Sequence, residues 1–303
     1  MSTHTAIEAP FGRMITAMVT PFKDGELEKV DFDGVQNLAR HLVAHGHDGI
    51  VVNGTTGEAP TTKSSEKLDI IRAVKEAVPS HIKVLTGAGD NETSYTVEQA
   101  KKSVAAGADG LLIVTPYYNK PPQAGIKAHF KTVAAAVDAP IMMYDIPGRA
   151  GVEIESQTIL DLYKEVPNIV ALKDAKGQPA KTSKVIAESG IPVYSGDDIL
   201  NLALLSLGAV GFVSVCGHTV GNELKEMLNA WFSGDNNRAL EIHQRLIPVF
   251  EGTFKTQGAI LTKAALDMLG LPGGDLRLPL VRATAKEVET LRADLIAGGV
   301  ALN

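Results

Sequence analysis

Apolar and polar positions along this chain fall into a repeating unit. Three stretches share one local grammar: a helical pattern, a glycine, one to three linking residues, then an apolar run. They are Ala44-His-Gly-His-Asp-Gly-Ile-Val-Val52, Ala106-Gly-Ala-Asp-Gly-Leu-Leu-Ile-Val114 and Leu207-Gly-Ala-Val-Gly-Phe-Val-Ser-Val215. Glycine after a helix supplies a left-handed cap, and a buried strand follows a tight loop. Between such runs lie amphipathic windows at helical spacing, as in Val30, Phe32, Val35, Leu38, Leu42 and Val43, and again in Leu68, Ile71, Val74 and Val78.

Eight candidate strands follow, near 14–20, 49–53, 83–87, 110–114, 140–144, 169–173, 192–195 and 210–215. Each precedes a helical pattern, and none is joined to the next by a hairpin turn, so the pairing is parallel. Eight such units close a (β/α)8 TIM barrel. A doubly wound open sheet would carry a glycine-rich turn after its first strand, where Val19-Thr20-Pro21-Phe22 stands instead. Residues 238–250, 257–269 and 284–296 show only helical patterns. The expected organisation is a barrel over 1–234 and a C-terminal helical extension over 235–303, with no linker between them.

Composition narrows the class. A length of 303 residues suits either two domains or one barrel, and a formal net charge of −6 argues against a nucleic-acid footprint. Cys216 is the only cysteine, which excludes an intrachain disulfide and favours a reducing compartment, the cytoplasm. Met1 to Pro10 lacks the basic start and apolar stretch of an export signal. From Ile199 to Asn222 there is no charged residue, but glycines interrupt the run. It divides better into a buried helix to Leu207, a strand over Val210–Val215 and a polar helix from near Asn222 than into a membrane span.

Barrel chemistry sits at the carboxyl ends of the strands. There the chain places Asn53-Gly-Thr-Thr-Gly-Glu58, Thr115-Pro-Tyr-Tyr118, Tyr144-Asp-Ile-Pro-Gly-Arg149, Lys173, Ser195-Gly-Asp-Asp198 and Ser214. Lys173 closes the apolar run Ile169-Val-Ala-Leu172, so its ammonium lies at the edge of a core. Desolvation there lowers an amine's pKa and makes it a candidate Schiff-base nucleophile toward a carbonyl. A lone lysine at a strand end more often snorkels to solvent. The hydroxyls, phenols and guanidinium gathered at the same face reverse that preference. No His, Cys or carboxylate grouping has metal-ligand spacing and there is no nucleophile elbow, so neither a metal nor a cofactor is expected. Cys216 and His218 are expected to be packing or loop residues.

These motifs, in register, closely resemble the 4-hydroxy-tetrahydrodipicolinate (dihydrodipicolinate) synthase family of pyruvate-dependent class I aldolases. The resemblance runs from about residue 14 into the C-terminal helices. It implies condensation of pyruvate with L-aspartate 4-semialdehyde, on the route to diaminopimelate and lysine. Lys173 then forms the imine, Tyr144 shuttles protons, and Thr55 and Tyr118 complete its relay, Tyr118 coming from a neighbouring subunit. A homo-oligomer, a tetramer built as a dimer of dimers, is implied with it. Thr56 and the Thr55 and Thr56 amides match the groups that hold pyruvate's carboxylate, and Arg149 the group that selects the aldehyde's carboxylate. Gly196 and Val213 match backbone and wall positions near the imine. Singly, Thr55 reads as a loop cap, Tyr118 as packing and Arg149 as a surface ion-pair partner.

Two rivals remain. N-acetylneuraminate lyases and keto-deoxy sugar acid aldolases share the imine, but tend to have Ser-Thr where Thr55-Thr56 stands. A barrel that only binds a ligand would usually have lost the lysine or the tyrosine. One departure from the family pattern is informative. Lysine-inhibited members hold their effector with a histidine and a glutamate, where this chain has Lys67 and Tyr95. Asn91 and Tyr117 fit that pocket, while Ala59 and Ser64 differ. Weak or absent feedback by lysine is therefore expected.

Overall fold

The computed structural model describes residues 7–302. The opening residues 1–6, on which most of the export-signal reading rests, lie outside them. Ten strands occur in chain order: β1 (Met14–Ala17), β2 (Phe22–Lys23), β3 (Glu26–Val30), β4 (Gly49–Val52), β5 (Lys83–Gly87), β6 (Gly110–Val114), β7 (Ile141–Asp145), β8 (Ile169–Asp174), β9 (Val193–Ser195) and β10 (Gly211–Ser214). Eight of them, β1 and β4 to β10, close into one parallel barrel in sequence order, with β1 pairing both β4 and β10. The eight-unit expectation thus holds, with strand limits within a few residues.

Alternation sets what each strand presents to the two sides. Ile15, Ala17, Val51, Leu85, Leu112, Met142, Ala171 and Val213 fill the barrel interior. Their neighbours Ile50, Val84, Leu111, Ile113, Met143, Leu172 and Val193 pack outward beneath the helices. A strand covered on both faces is apolar throughout, which is why these runs show no polar alternation.

The helices are α1 (Phe32–Ala44), α2 (Ser64–Ala77), α3 (Thr93–Ala105), α4 (Gln123–Ala135), α5 (Pro147–Ala150), α6 (Ser156–Glu165), α7 (Pro179–Ser189), α8 (Asn201–Ser206), α9 (Gly217–Ser233), α10 (Asn236–Thr253), α11 (Gly258–Met268) and α12 (Ala285–Ala297). The last three form the C-terminal extension. Its core is continuous with the barrel's: Leu246, Val249, Phe250, Leu261 and Leu295 pack in one cluster with Met14, Phe212, Cys216 and Leu224. Burial of each such side chain stabilises by about 1.5–3 kcal/mol relative to exposure, so the extension is fastened by many small terms.

Two local expectations need correction. The first barrel unit does contain a hairpin: β2 and β3 pair antiparallel, off the barrel, and Val30 ends β3 instead of starting α1. Asp24-Gly25 makes the turn, with Gly25 at φ 71°. The polar helix expected from near Asn222 starts at Gly217: an uncharged and mostly buried first turn, Gly217-His-Thr-Val220, precedes it and kinks at Val220 (φ −131°). Among the described residues, no helix is long and apolar enough to cross a membrane.

Candidate active site

Tyr144 and Lys173 occupy the last inward positions of β7 and β8, and the parallel register sets them side by side. Lys173 Nζ lies 4.4 Å from the centroid of the Tyr144 ring. Both are buried, at 5% and 7% exposure. Burial lowers the Lys173 amine to about 8; the Asp198 carboxylate opposes that shift and the Arg149 guanidinium adds to it. Burial also pushes the Tyr144 phenol up to about 12, against the pull of Arg149.

Gly196, just past β9, makes room for the lysine. A Cβ at this position would lie 2.8 Å from Lys173 Cε and 3.1 Å from Cγ. A larger residue there would force Lys173 or Ala175 to shift. Val213 is a buried interior residue of β10, sharing the core cluster of Tyr144 and Ala171.

A cavity of about 780 Å³ opens above Tyr144 and is lined by Asn53, Thr55, Tyr144, Arg149, Lys67 and Tyr95, among others. Thr55 belongs to the turn that follows β4. Thr56, at 9% exposure, does not line the cavity, and Thr20 Oγ1 donates to Gly57 O at 2.7 Å. Among the described residues, the Thr55 and Thr56 amides donate to no protein acceptor. Arg149 is exposed and forms no ion pair among the described residues, so it is not a salt-bridged surface arginine within this chain.

Tyr118 stands apart. It is 87% exposed, has φ 73°, donates its backbone N–H to Ala150 O at 3.1 Å, and does not line this cavity. Within one chain the relay of Thr55, Tyr144 and Tyr118 is therefore not assembled.

Buried carboxylates that the sequence motifs contained, but to which no role attached, brace the site. Asp198 accepts from Ser214 Oγ (2.5 Å), Asn201 Nδ2 (3.0 Å) and the Val215 and Cys216 amides (2.8 and 2.9 Å), tying β10 to the loop after β9. Asp145 and Asp174 are the outward residues directly after Tyr144 and Lys173. Lys176 Nζ lies between them, 3.1 Å from Asp145 and 4.0 Å from Asp174, nearly fully buried. Thr182 Oγ1 donates to Asp174 at 2.6 Å. Burial raises the Asp145 carboxyl to about 6, against the nearby Lys176. An acidic residue one step beyond the last inward position of a buried strand was the available signal.

Cys216, just before α9, and His218, in its first turn, are packing residues. His218 Nε2 accepts the Val19 amide at 3.1 Å, and burial drives the Cys216 thiol well above its ordinary range. Among the described residues, no cluster of three or more His, Cys, Asp or Glu side chains is placed to hold a metal.

A closed parallel barrel whose strand ends carry a desolvated lysine packed on a tyrosine defines an enzyme of the imine-forming (β/α)8 class. A sequence model described as the dihydrodipicolinate synthetase family matches residues 10–297, and the chain belongs to that family. It is 54% identical over 303 residues to 4-hydroxy-tetrahydrodipicolinate synthase 2 of Streptomyces coelicolor, covering all of both chains. To the 4-hydroxy-tetrahydrodipicolinate synthase of Acidothermus cellulolyticus it is 53% identical, over 96% of this chain and 94% of that one. Among solved structures, the dihydrodipicolinate synthase of Cyanidioschyzon merolae with lysine bound superposes with a TM-score of 0.94. It is 44% identical, over 97% of this chain and all of that one. A monomeric dihydrodipicolinate synthase variant superposes at 0.93 with 34% identity, over 96% and 98% of the two chains.

Proposed function

We propose that this protein is a Schiff-base lyase condensing pyruvate with L-aspartate 4-semialdehyde. The observation that carries the reading is the buried Lys173 amine set 4.4 Å from the Tyr144 ring at the end of its barrel strand; burial there lowers it to about 8. An ordinary lysine is neutral in roughly three molecules per ten thousand at pH 7, whereas a pKa of about 8 leaves roughly a tenth neutral and nucleophilic.

Lys173 Nζ adds to the ketone carbon of pyruvate, and loss of water gives the imine. The imine draws electrons from the methyl group, which loses a proton to form an enamine. Its terminal carbon attacks the aldehyde, making one C–C bond while the aldehyde oxygen takes up a proton. Ring closure follows when the substrate's own amine displaces Lys173. Tyr144 serves the proton transfers. At about 12 its phenol is a weak base alone, so Thr55 and a second phenol, Tyr118 of an adjoining subunit, are assigned to relay with it.

The free Thr55 and Thr56 amides and the Thr56 hydroxyl suit pyruvate's carboxylate, and the unpaired Arg149 fork suits that of the aldehyde. Gly196 gives Lys173 its clearance and Val213 its wall. In this reading residues 1–234 carry the chemistry and residues 235–303 support it, the enzyme works as a tetramer in the cytoplasm, and no cofactor takes part. Turnover tests the assignment. The protein should consume L-aspartate 4-semialdehyde with pyruvate and should not cleave sialic acid; cleavage of sialic acid alone would transfer it to the lyase branch.

A further inference from the structure

The turn that carries Thr55 and Thr56 is bracketed by two non-glycine residues in the left-handed region, Asn53 at φ 56° and Glu58 at φ 55°. Such backbone persists where surrounding contacts over-determine it. Asn53 is held by its side-chain amide, which donates to Lys67 O at 3.0 Å and Thr86 Oγ1 at 2.9 Å. Glu58 is held from a distant part of the chain. Its carboxylate, 2% exposed, lies 2.7 Å from Lys263 Nζ on α11 and accepts the Arg277 amide at 2.9 Å.

Those two partners are themselves fixed. Lys263 is 2% exposed and donates to Asp275 O at 2.6 Å. The Arg277 guanidinium donates to Thr61 O at 2.9 Å and forks onto Glu66 at 2.8 and 2.7 Å. Both cations rest on the Phe22 ring, 4.5 and 4.1 Å from its centroid. Gly274, at φ 68°, bridges to Phe22 so closely that a Cβ would overlap the Phe22 backbone.

A buried ion pair is a poor way merely to fasten two segments, since desolvation offsets most of its attraction and an apolar pair would hold as well. What the charges add is direction. They fix the side chain of the residue that closes the turn, two positions after Thr56. We infer that Glu58 is a positioning residue for the Thr55–Thr56 turn, locked by Lys263 and Arg277, so that the C-terminal segment shapes the pyruvate-carboxylate site without lining the cavity. This rests on the reading of that turn as the cradle of pyruvate's carboxylate.

The test compares wild type with Glu58→Gln, which keeps shape and an acceptor for the Arg277 amide but removes the ion pair. A second variant, Glu58→Gln with Lys263→Met, also removes the ammonium left unpaired. Each is measured for thermal stability, for kcat/KM toward pyruvate and toward the aldehyde, and for borohydride trapping of pyruvate on Lys173. A displaced turn weakens the pyruvate half-reaction selectively, so kcat/KM for pyruvate should fall about tenfold while that for the aldehyde stays within about twofold. The double variant should regain stability without regaining pyruvate kcat/KM. Equal losses toward both substrates, or recovery of pyruvate kcat/KM in step with stability, would leave Glu58 a structural residue only. Trapping in wild type with unaltered pyruvate kinetics in a folded variant removes this inference alone; wild type that traps no pyruvate removes the underlying reading with it.

Discussion

Lys173 and Arg149 divide the labour at the level of single side chains. Lys173 has lost solvent and therefore its ordinary basicity, whereas Arg149 stays exposed with its fork unoccupied by protein carboxylates. Arg149 has a second effect, since its charge lowers both the Lys173 amine and the Tyr144 phenol. Replacing it should act twice. In Arg149→Ala, loss of a charge-assisted contact of about 1.5–3 kcal/mol should lower kcat/KM for the aldehyde by about 10- to 150-fold. Pyruvate trapping should survive, with its pH dependence moved upward. Unchanged aldehyde kinetics would remove Arg149 from substrate selection.

Among the elements, the eight barrel strands were legible because burial on both faces leaves uninterrupted apolar runs, and the glycine caps mark where each begins. The hairpin β2–β3 was not, because residues 23–29 carry no apolar run and the helical spacing of α1 extends back through Val30. The motif residues could be placed at the strand ends for the same reason the strands could. The partners of the bracing carboxylates could not, since a pair such as Glu58 and Lys263 meets across more than two hundred residues.

Element junctions also hold buried neutral histidines. His47, where α1 meets β4, bonds to Thr16 Oγ1 (2.7 Å) and Leu42 O (2.6 Å), and burial lowers it to about 3; burial lowers His218 in α9 to about 4. A folded pKa below the unfolded value of about 6.5 means the unfolded chain binds more protons. Stability from these groups is therefore complete above about pH 6.5 and is lost as pH falls toward 4. At pH 5 each should have cost about 2 kcal/mol, measurable as a drop in the denaturant midpoint between pH 7 and 5. His218→Gln, which cannot titrate, should show a smaller drop; an equal drop would show that His218 takes up protons alike in the folded and unfolded states, so that folding does not lower it.

At the scale of the whole molecule, one chain leaves Tyr118 on the outside with a left-handed backbone. If it serves a neighbouring subunit's site, Lys173→Ala and Tyr118→Phe are each inactive yet complement one another. Dissociating and reassociating a 1:1 mixture should restore about a quarter of wild-type turnover, since half the dimers are mixed and each holds one intact site. No restoration would place the relay within one chain or discard Tyr118. Assembly also bears on regulation. Lys67, Tyr95 and Tyr117 line the same cavity as Thr55 and Tyr144; burial lowers the Lys67 amine, and Asp90 opposes that shift. A lysine effector would bring its ammonium to a site that already carries Lys67, so inhibition should be weak. Half-maximal inhibition below about 1 mM would contradict this.

The proposed chemistry depends on one covalent bond, and borohydride reduction in the presence of pyruvate makes that bond permanent. Peptide mapping should place a single adduct on Lys173, forming faster as pH rises from 7 toward 9 and absent from Lys173→Ala. An unlabelled protein, or an adduct on another lysine, would contradict the account.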